Sequence, residues 1–158
     1  MTRSRPRIPT AREIMQSRID TIPIEMPVQD AVQMLLEKGH SGAPVVDHDG
    51  RLRGILSEHD CVRVLAEAVA EGWPEGRVEH RMSSEVESVP PSEDLLSLAS
   101  RFSQGRHRRL VVVEDERAIG LITRRDLLAA LVDLERALGD GRSRTTYELI
   151  EERRRKLD

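Results

Sequence analysis

The stretch GILSEHD occupies Gly54–Asp60, and the stretch GLITRRD occupies Gly120–Asp126. Each consists of a glycine, two aliphatic residues, a hydroxyl residue, two variable positions and an aspartate, a pattern typical of a strand that runs directly into a helix. Because this junction occurs twice in a chain of 158 residues, we predict a pseudo-symmetric pair of units with the functional residues at the junctions.

The repeat extends beyond these junctions. The segment 15–47 aligns without a gap on the segment 82–114, an offset of 67 residues (82 − 15). After the turn at 48–50 the offset falls to 66 residues (126 − 60). A duplicated fold tolerates the loss of one residue in a surface turn.

Composition excludes several classes of protein. The formal net charge of −3 and the pI of about 6.0 give no global field that would attract nucleic acid or an anionic membrane. A single cysteine, Cys61, rules out an internal disulfide framework and suits a reducing compartment. The first ten residues lack the apolar run of a signal peptide, and no stretch approaches membrane-spanning length. We therefore expect a cytoplasmic protein that binds neither nucleic acid nor membrane.

Hydrophobic spacing predicts the order β-α-β-β-α in each unit, after a helical lead-in capped by Thr10 and Glu13. The predicted strands are 19–22, 43–46 and 52–56 in the first unit, and 86–89, 110–113 and 119–122 in the second. The predicted helices cover 28–38 and 95–103, and the final helix of each unit begins at Ser57 or Thr123. We divide the chain into a basic segment 1–10, a first repeat 11–71, a linker 72–79, a second repeat 80–138 and a charged helical tail 139–158.

The final helix of each repeat is apolar over a broad arc. In the second repeat Leu127, Leu131, Leu134 and Leu138 form one row, and Leu128 with Val132 forms another. A helix that buries one face against a small sheet does not need this width. The pattern predicts a second protein surface, most simply a homodimer.

The junctions have two interpretations. Ser57 with Asp60, and Thr123 with Asp126, match helix caps, in which a hydroxyl residue and an acid three positions later satisfy free amides. The same helix start can also attract a phosphate, and a carboxylate one turn inside can accept hydrogen bonds from ribose hydroxyls. The duplication alone does not decide between a cap and a nucleotide site.

The ordered set of motifs resembles tandem cystathionine β-synthase (CBS) domains, the pair called a Bateman module. The resemblance rests on the two junctions, on the strand APVVD at Ala43–Asp47 and on its partner LVVVE at Leu110–Glu114. It spans about residues 11–138. It implies an α/β (α+β) fold in which two pseudo-twofold related repeats pack sheet to sheet, with helices outside and two clefts between them.

The resemblance also implies a regulatory function in which no bond is broken. Members of the family bind AMP, ADP, ATP or S-adenosylmethionine, sometimes dinucleotides, in these clefts. Carried over by position, Asp60 and Asp126 would hold ribose hydroxyls, and Ser57 and Thr123 would meet phosphate. The positions that would border the adenine are Thr21, Ile22, Ser88 and Val89. The positions that would line the rest of the clefts are His40, Ala43, Pro44, His107, Arg108, Arg109 and Leu110.

The two clefts are expected to differ in charge. Basic residues crowd the second set of elements, namely Arg106, His107, Arg108, Arg109, Arg124 and Arg125. Surface solubility explains many arginines. If several face the cavity, the second cleft should prefer more highly phosphorylated ligands, because arginine pairs bidentately with phosphate.

Other chemistries lack their usual residues. Ser57, His59 and Asp60 are too close in sequence to line up as a catalytic triad. The five histidines and Cys61 show no zinc-ligand spacing, and no phosphate-binding glycine loop occurs. We therefore expect no enzyme, no metal and no cofactor beyond a regulatory adenosine ligand. The alternative is a ligand-free dimeric scaffold; in either case the module would act on an effector protein in trans or report through its tail.

Overall fold

The structure is a computed structural model that describes residues 7–72 and 75–139. The predicted tail helix at 145–157, most of the basic segment 1–10 and part of the linker lie outside the described residues. The helices are α1 (Ala11–Ile14), α2 (Val28–Lys38), α3 (Glu58–Glu71), α4 (Leu95–Gln104) and α5 (Arg124–Gly139), with a 3-10 turn at Val78–His80. The strands are β1 (Ile22–Pro23), β2 (Gly42–Val46), β3 (Leu52–Ser57), β4 (Ser88–Val89), β5 (Arg109–Glu114) and β6 (Arg117–Thr123).

Two three-stranded sheets repeat the same topology. In each sheet the first strand runs parallel to the second, and the second pairs antiparallel with the third. The pairing Ile22 with Val45 recurs as Val89 with Val112, so the register preserves the sequence offset. The predicted α/β fold of two β-α-β-β-α repeats is confirmed.

The opening strand of each repeat is shorter than predicted. The predictions of strands at 19–22 and 86–89 were wrong in extent, since β1 begins at Ile22 and β4 at Ser88. The parallel ladder needs amide donors from the middle strand, and Pro44 has none. At the equivalent position Val111 donates its N–H to the carbonyl oxygen of Glu87 at 3.1 Å. Consequently β4 begins one position earlier in its repeat than β1 does.

Each lead-in segment packs on the sheet of the other repeat. The backbone of Gln16 exchanges two hydrogen bonds with Leu121 on β6, and the backbone of Ser83 exchanges two with Ile55 on β3. Ala11 is fully buried in the core of the second repeat, and Val78 is fully buried in the core of the first. The two repeats are therefore tied together by an exchange of their opening segments.

The hairpin turns of the two repeats also meet. Leu52 donates its backbone N–H to the carbonyl oxygen of Glu116 at 2.8 Å, and Arg51 forms a backbone bridge with Arg117. The turn in the second repeat has Asp115 and Glu116 at positive φ, as a two-residue hairpin turn of type I′ requires. The longer turn of the first repeat, which ends at Gly50, accounts for the change in offset.

Both final helices leave apolar side chains uncovered. Val62 on α3 and Leu128 on α5 occupy equivalent positions and are 60% and 61% exposed. The other large exposed apolar side chains of the described residues are Leu36, Leu65, Val69 and Val132. No described helix has the length and apolar character needed to cross a membrane.

Candidate functional site

A cavity of about 490 Å³ opens between the two repeats. The first repeat contributes Ser41, Ile55 and the start of α3 at 57–59. The second repeat contributes two segments, 85–87 before β4 and 106–109 before β5, together with Val111. Its volume lies within the usual range for small-molecule sites. The site is therefore composite, because neither repeat encloses it alone.

The start of α3 forms a capping box at the wall of this cavity. Asp60 Oδ2 accepts hydrogen bonds from the backbone N–H of Ser57 at 2.9 Å and from its hydroxyl at 2.6 Å, while Ser57 Oγ accepts from the N–H of Asp60 at 3.3 Å. The capping interpretation of this junction is confirmed. Asp60 Oδ1 has no hydrogen-bond donor among the described residues. A carboxylate has about four acceptor sites, so the cap leaves capacity for a further donor.

The start of α5 repeats this geometry with one addition. Asp126 Oδ2 accepts from the backbone N–H and the hydroxyl of Thr123, each at 2.8 Å. In addition, the side-chain amide of Gln16 donates to Oδ1 at 3.1 Å and to Oδ2 at 3.0 Å. Both oxygens of Asp126 are thus engaged, unlike those of Asp60.

Arg109 crosses the cavity from one repeat to the other. Its guanidinium donates to Ser41 Oγ at 2.5 Å, and it fills the space over Gly42, where an added Cβ would lie 2.6 Å from Nη1. Burial lowers the pKa of Arg109, and Arg108 lowers it further, while Glu58 raises it. The direction shows a cation that has lost hydration without full compensation. An anion in the cavity would restore that compensation.

The cavity walls carry mixed charge. Three arginines, Arg106, Arg108 and Arg109, face a wall that also includes Glu58, Glu85 and Glu87. Glu87 is committed to Arg101 at 3.0 Å and approaches His107 at 3.7 Å. Arg106 and Arg108 form no ion pair within the described part of the chain.

An acid and a histidine pair up at equivalent places in both repeats. Asp20 contacts His40 Nε2 at 2.7 Å, just as Glu87 faces His107. Hydrogen bonds from Lys38 and then His40 lower the pKa of Asp20. We did not single out the two acids from the sequence, although both pairs share the offset of 67 residues and the repeat could have identified them.

The predicted site residues separate into three groups. Those that line the cavity are Ser57, His107, Arg108 and Arg109. Those whose side chains are buried are Ile22, Ala43, Pro44, Val89 and Leu110. The remaining ones, which lie outside the described cavity wall, are Thr21, His40, Asp60, Ser88, Thr123 and Asp126. His40 instead lines an apolar groove between α2 and α3, beside Cys61 and Val62.

The basic run of the second repeat faces the first junction. Arg106, Arg108 and Arg109 line the same cavity as Ser57, so they do not form one cleft with the start of α5. Arg124 at that start donates to the carbonyl oxygen of His107 at 3.3 Å. Sequence position alone could not reveal this exchange between repeats.

Metal and thiol chemistry find little support in the described ranges. Among residues 7–72 and 75–139, no group of three or more His, Cys, Asp or Glu side chains could hold a metal ion. Burial raises the pKa of the Cys61 thiol, and Asp60 and Glu58 raise it further. A thiol in this setting is poorly nucleophilic at neutral pH.

Comparison with known sequences identifies a family. The CBS domain matches residues 11–67 and 77–133. Among relatives, the uncharacterized protein MJ1225 of Methanocaldococcus jannaschii is 28% identical over 76% of this chain. The A-adding tRNA nucleotidyltransferase of Geobacter sulfurreducens is 32% identical over 75% of it. The chain spans only 42% and 13% of the lengths of these two relatives.

Solved structures agree with the sequence match. CBSX2 in complex with AMP is 26% identical and superposes with a TM-score of 0.70, covering 80% of this chain and 98% of that one. A putative acetoin utilization protein (AcuB) from Vibrio cholerae, at 20% identity, shares the fold with a TM-score of 0.73 over 86% of this chain and 99% of its own. CBS-pair proteins are typically regulatory modules. With both repeats matched and the paired sheets in place, the chain belongs to the CBS domain family as a tandem pair.

Proposed function

We propose that this chain is a regulatory module that senses an adenosine nucleotide in the cavity between its repeats. The observation that carries the proposal is the uncompensated positive charge at one wall of a composite cavity. Arg106 and Arg108 lack ion pairs in the described chain, and Arg109 is partly buried with a lowered pKa. A similarly folded relative, CBSX2, was solved with AMP.

The charge balance favours a monophosphate. Three carboxylates share the wall with the three arginines, and Glu58 and Glu85 lie where a longer phosphate chain would meet negative charge. AMP would satisfy the free guanidinium groups with one phosphate. We therefore expect AMP to bind more tightly than ATP, which revises the expectation from the arginine count alone.

Ligand binding would act through the contact between repeats. Because Arg109 joins Ser41 across the cavity, a phosphate that draws the guanidinium away changes how the two repeats meet. A ligand shifts such an equilibrium only by its differential affinity for the two arrangements. We propose that the shift alters a homodimer built on α3 and α5, and that the module then acts on an effector protein in the cytoplasm without catalysing a reaction.

Thermal unfolding with added ligands tests the proposal. Saturating AMP at about 100 times its Kd should stabilise the native state by about 2.7 kcal/mol, a rise in Tm of roughly 5–10 °C. Adenosine should give a smaller shift because it lacks the phosphate, and S-adenosylmethionine serves as the comparison ligand without one.

Arg108→Gln should remove most of the difference between AMP and adenosine. Arg63→Gln, an exposed site on α3 away from the cavity, is the matched control and should change neither shift. If millimolar AMP, ADP, ATP and S-adenosylmethionine all leave Tm unchanged, the sensor proposal fails.

A ligand-free scaffold is the second candidate. The specific observation in its favour is that both junction acids already serve as caps, while α3 and α5 expose apolar side chains. A dimer that forms with no response to any adenosine ligand would support this candidate.

A further inference from the structure

The equivalent aspartates of the two repeats are not equally accessible to a ligand. Gln16 and Ser83 hold equivalent positions in the two lead-in segments, and both make the same backbone bridge to the opposite sheet. The Gln16 side chain is long enough to reach Asp126, whereas the Ser83 hydroxyl turns to the carbonyl oxygen of Glu85 at 3.4 Å. The difference therefore arises from one side chain in an otherwise repeated framework.

The contact of Gln16 imitates what a sugar would offer. Its amide nitrogen lies 3.1 Å from Oδ1 and 3.0 Å from Oδ2 of Asp126. An ionised carboxylate only accepts hydrogen bonds, so a neutral donor that spans both oxygens takes the acceptor sites a pair of ribose hydroxyls would use. On Asp60, Oδ1 remains without a donor in the described chain.

We propose that Gln16 is an internal cover of the Asp126 carboxylate, and that it makes the cleft at the start of α5 the weaker of the two ligand sites. This inference rests on the proposed nucleotide-sensing function. Gln16 is exposed, so its side chain can swing away and the cover lowers affinity without abolishing it. One neutral hydrogen bond to a partly exposed carboxylate corresponds to about a fivefold change in Kd.

An exchange of the two side chains tests the proposal. Asp60→Asn isolates the Asp126 cleft, and Asp126→Asn isolates the Asp60 cleft, with AMP binding followed by isothermal titration calorimetry. In the Asp60→Asn background, Gln16→Ser should tighten AMP binding about fivefold. In the Asp126→Asn background, Gln16→Ser should have no effect, and Ser83→Gln should weaken AMP binding by a similar factor.

A measurement on the unmodified aspartates supports the test if a variant folds poorly. The side-chain NH₂ resonances of Gln16, assigned by their loss in Gln16→Ser, should shift as AMP saturates the protein and should not shift in Asp126→Asn. Unchanged or weaker AMP binding in Gln16→Ser, or resonances that ignore AMP, would overturn the cover while leaving the sensor intact. Failure of every variant and of the natural chain to bind AMP would overturn both.

Discussion

Alanine at the junction glycines should destabilise the two repeats unequally. An added Cβ at Gly54 would lie 2.6 Å from the backbone carbonyl oxygen of Ser83 and 2.6 Å from Met82 Sδ. At Gly120 it would meet only the side chain of Met15, whose Cγ and Cβ lie 2.8 and 3.0 Å away. A side chain can rotate, but a carbonyl moves only with its strand bridge.

The magnitude follows from the atom that must move. Overpacking in a tight interface costs about 1–3 kcal/mol, and the loss of glycine freedom in the unfolded chain returns about 0.4–1 kcal/mol. We expect Gly54→Ala to lower the free energy of unfolding by about 2 kcal/mol or more, because the bridge between Ser83 and Ile55 must shift. Gly120→Ala should cost about 1 kcal/mol, because Met15 can repack.

Urea unfolding of single and double variants separates these causes. Met15→Ala should offset part of the loss from Gly120→Ala, with a coupling energy of about 1 kcal/mol. Met82→Ala should offset less of the loss from Gly54→Ala, because the Ser83 carbonyl oxygen remains in the way. If Gly54→Ala costs no more than Gly120→Ala, or if Met82→Ala restores it fully, the exchanged lead-in does not explain the glycine.

Two further predictions concern pH and assembly. Because hydrogen bonds lower the pKa of Asp20 from 3.8, its contribution to stability is fully present above about pH 5 and is lost as pH falls through the lowered value; the difference in unfolding free energy between the natural chain and Asp20→Asn should shrink across that window, and a difference that grows on acidification would contradict this. Val62→Glu or Leu128→Glu should dissociate a dimer built on α3 and α5 in sedimentation velocity, whereas Arg63→Glu, which places the same charge elsewhere on α3, should not; unaltered sedimentation of the two apolar-site variants would exclude this surface.

The order of elements follows from local patterns and was predictable. Helical spacing gives α2, and Gly39 at φ 67° ends it in the left-handed conformation that favours glycine. Ser57 and Thr10 begin their helices with capping boxes that their sequences predict. Such signals act within about one helical turn, so a single sequence suffices to read them.

The composite nature of the cavity was not predictable from the same patterns. Each repeat presents its own junction, and sequence order suggests that the arginines at 106–109 serve the junction that follows them. They face Ser57 instead, because the lead-in segments exchange partners and bring the opposite repeat to each helix start. The packing of a five-residue segment depends on shape complementarity between distant parts of the chain, which neither hydrophobic periodicity nor capping encodes.

Three positions break the symmetry that duplication would otherwise impose. Pro44 removes an amide that Val111 supplies, Gly42 leaves room that the equivalent Arg109 fills from across the cavity, and Gln16 covers an acid that its counterpart leaves open. Each change is local, yet each acts on the other repeat or at the cleft. Because the backbone framework is repeated and only these side chains differ, a difference in ligand affinity between the clefts must come from them or from the charges beside them. Exchange of the side chains between equivalent positions is thus a more direct test of the site than their removal.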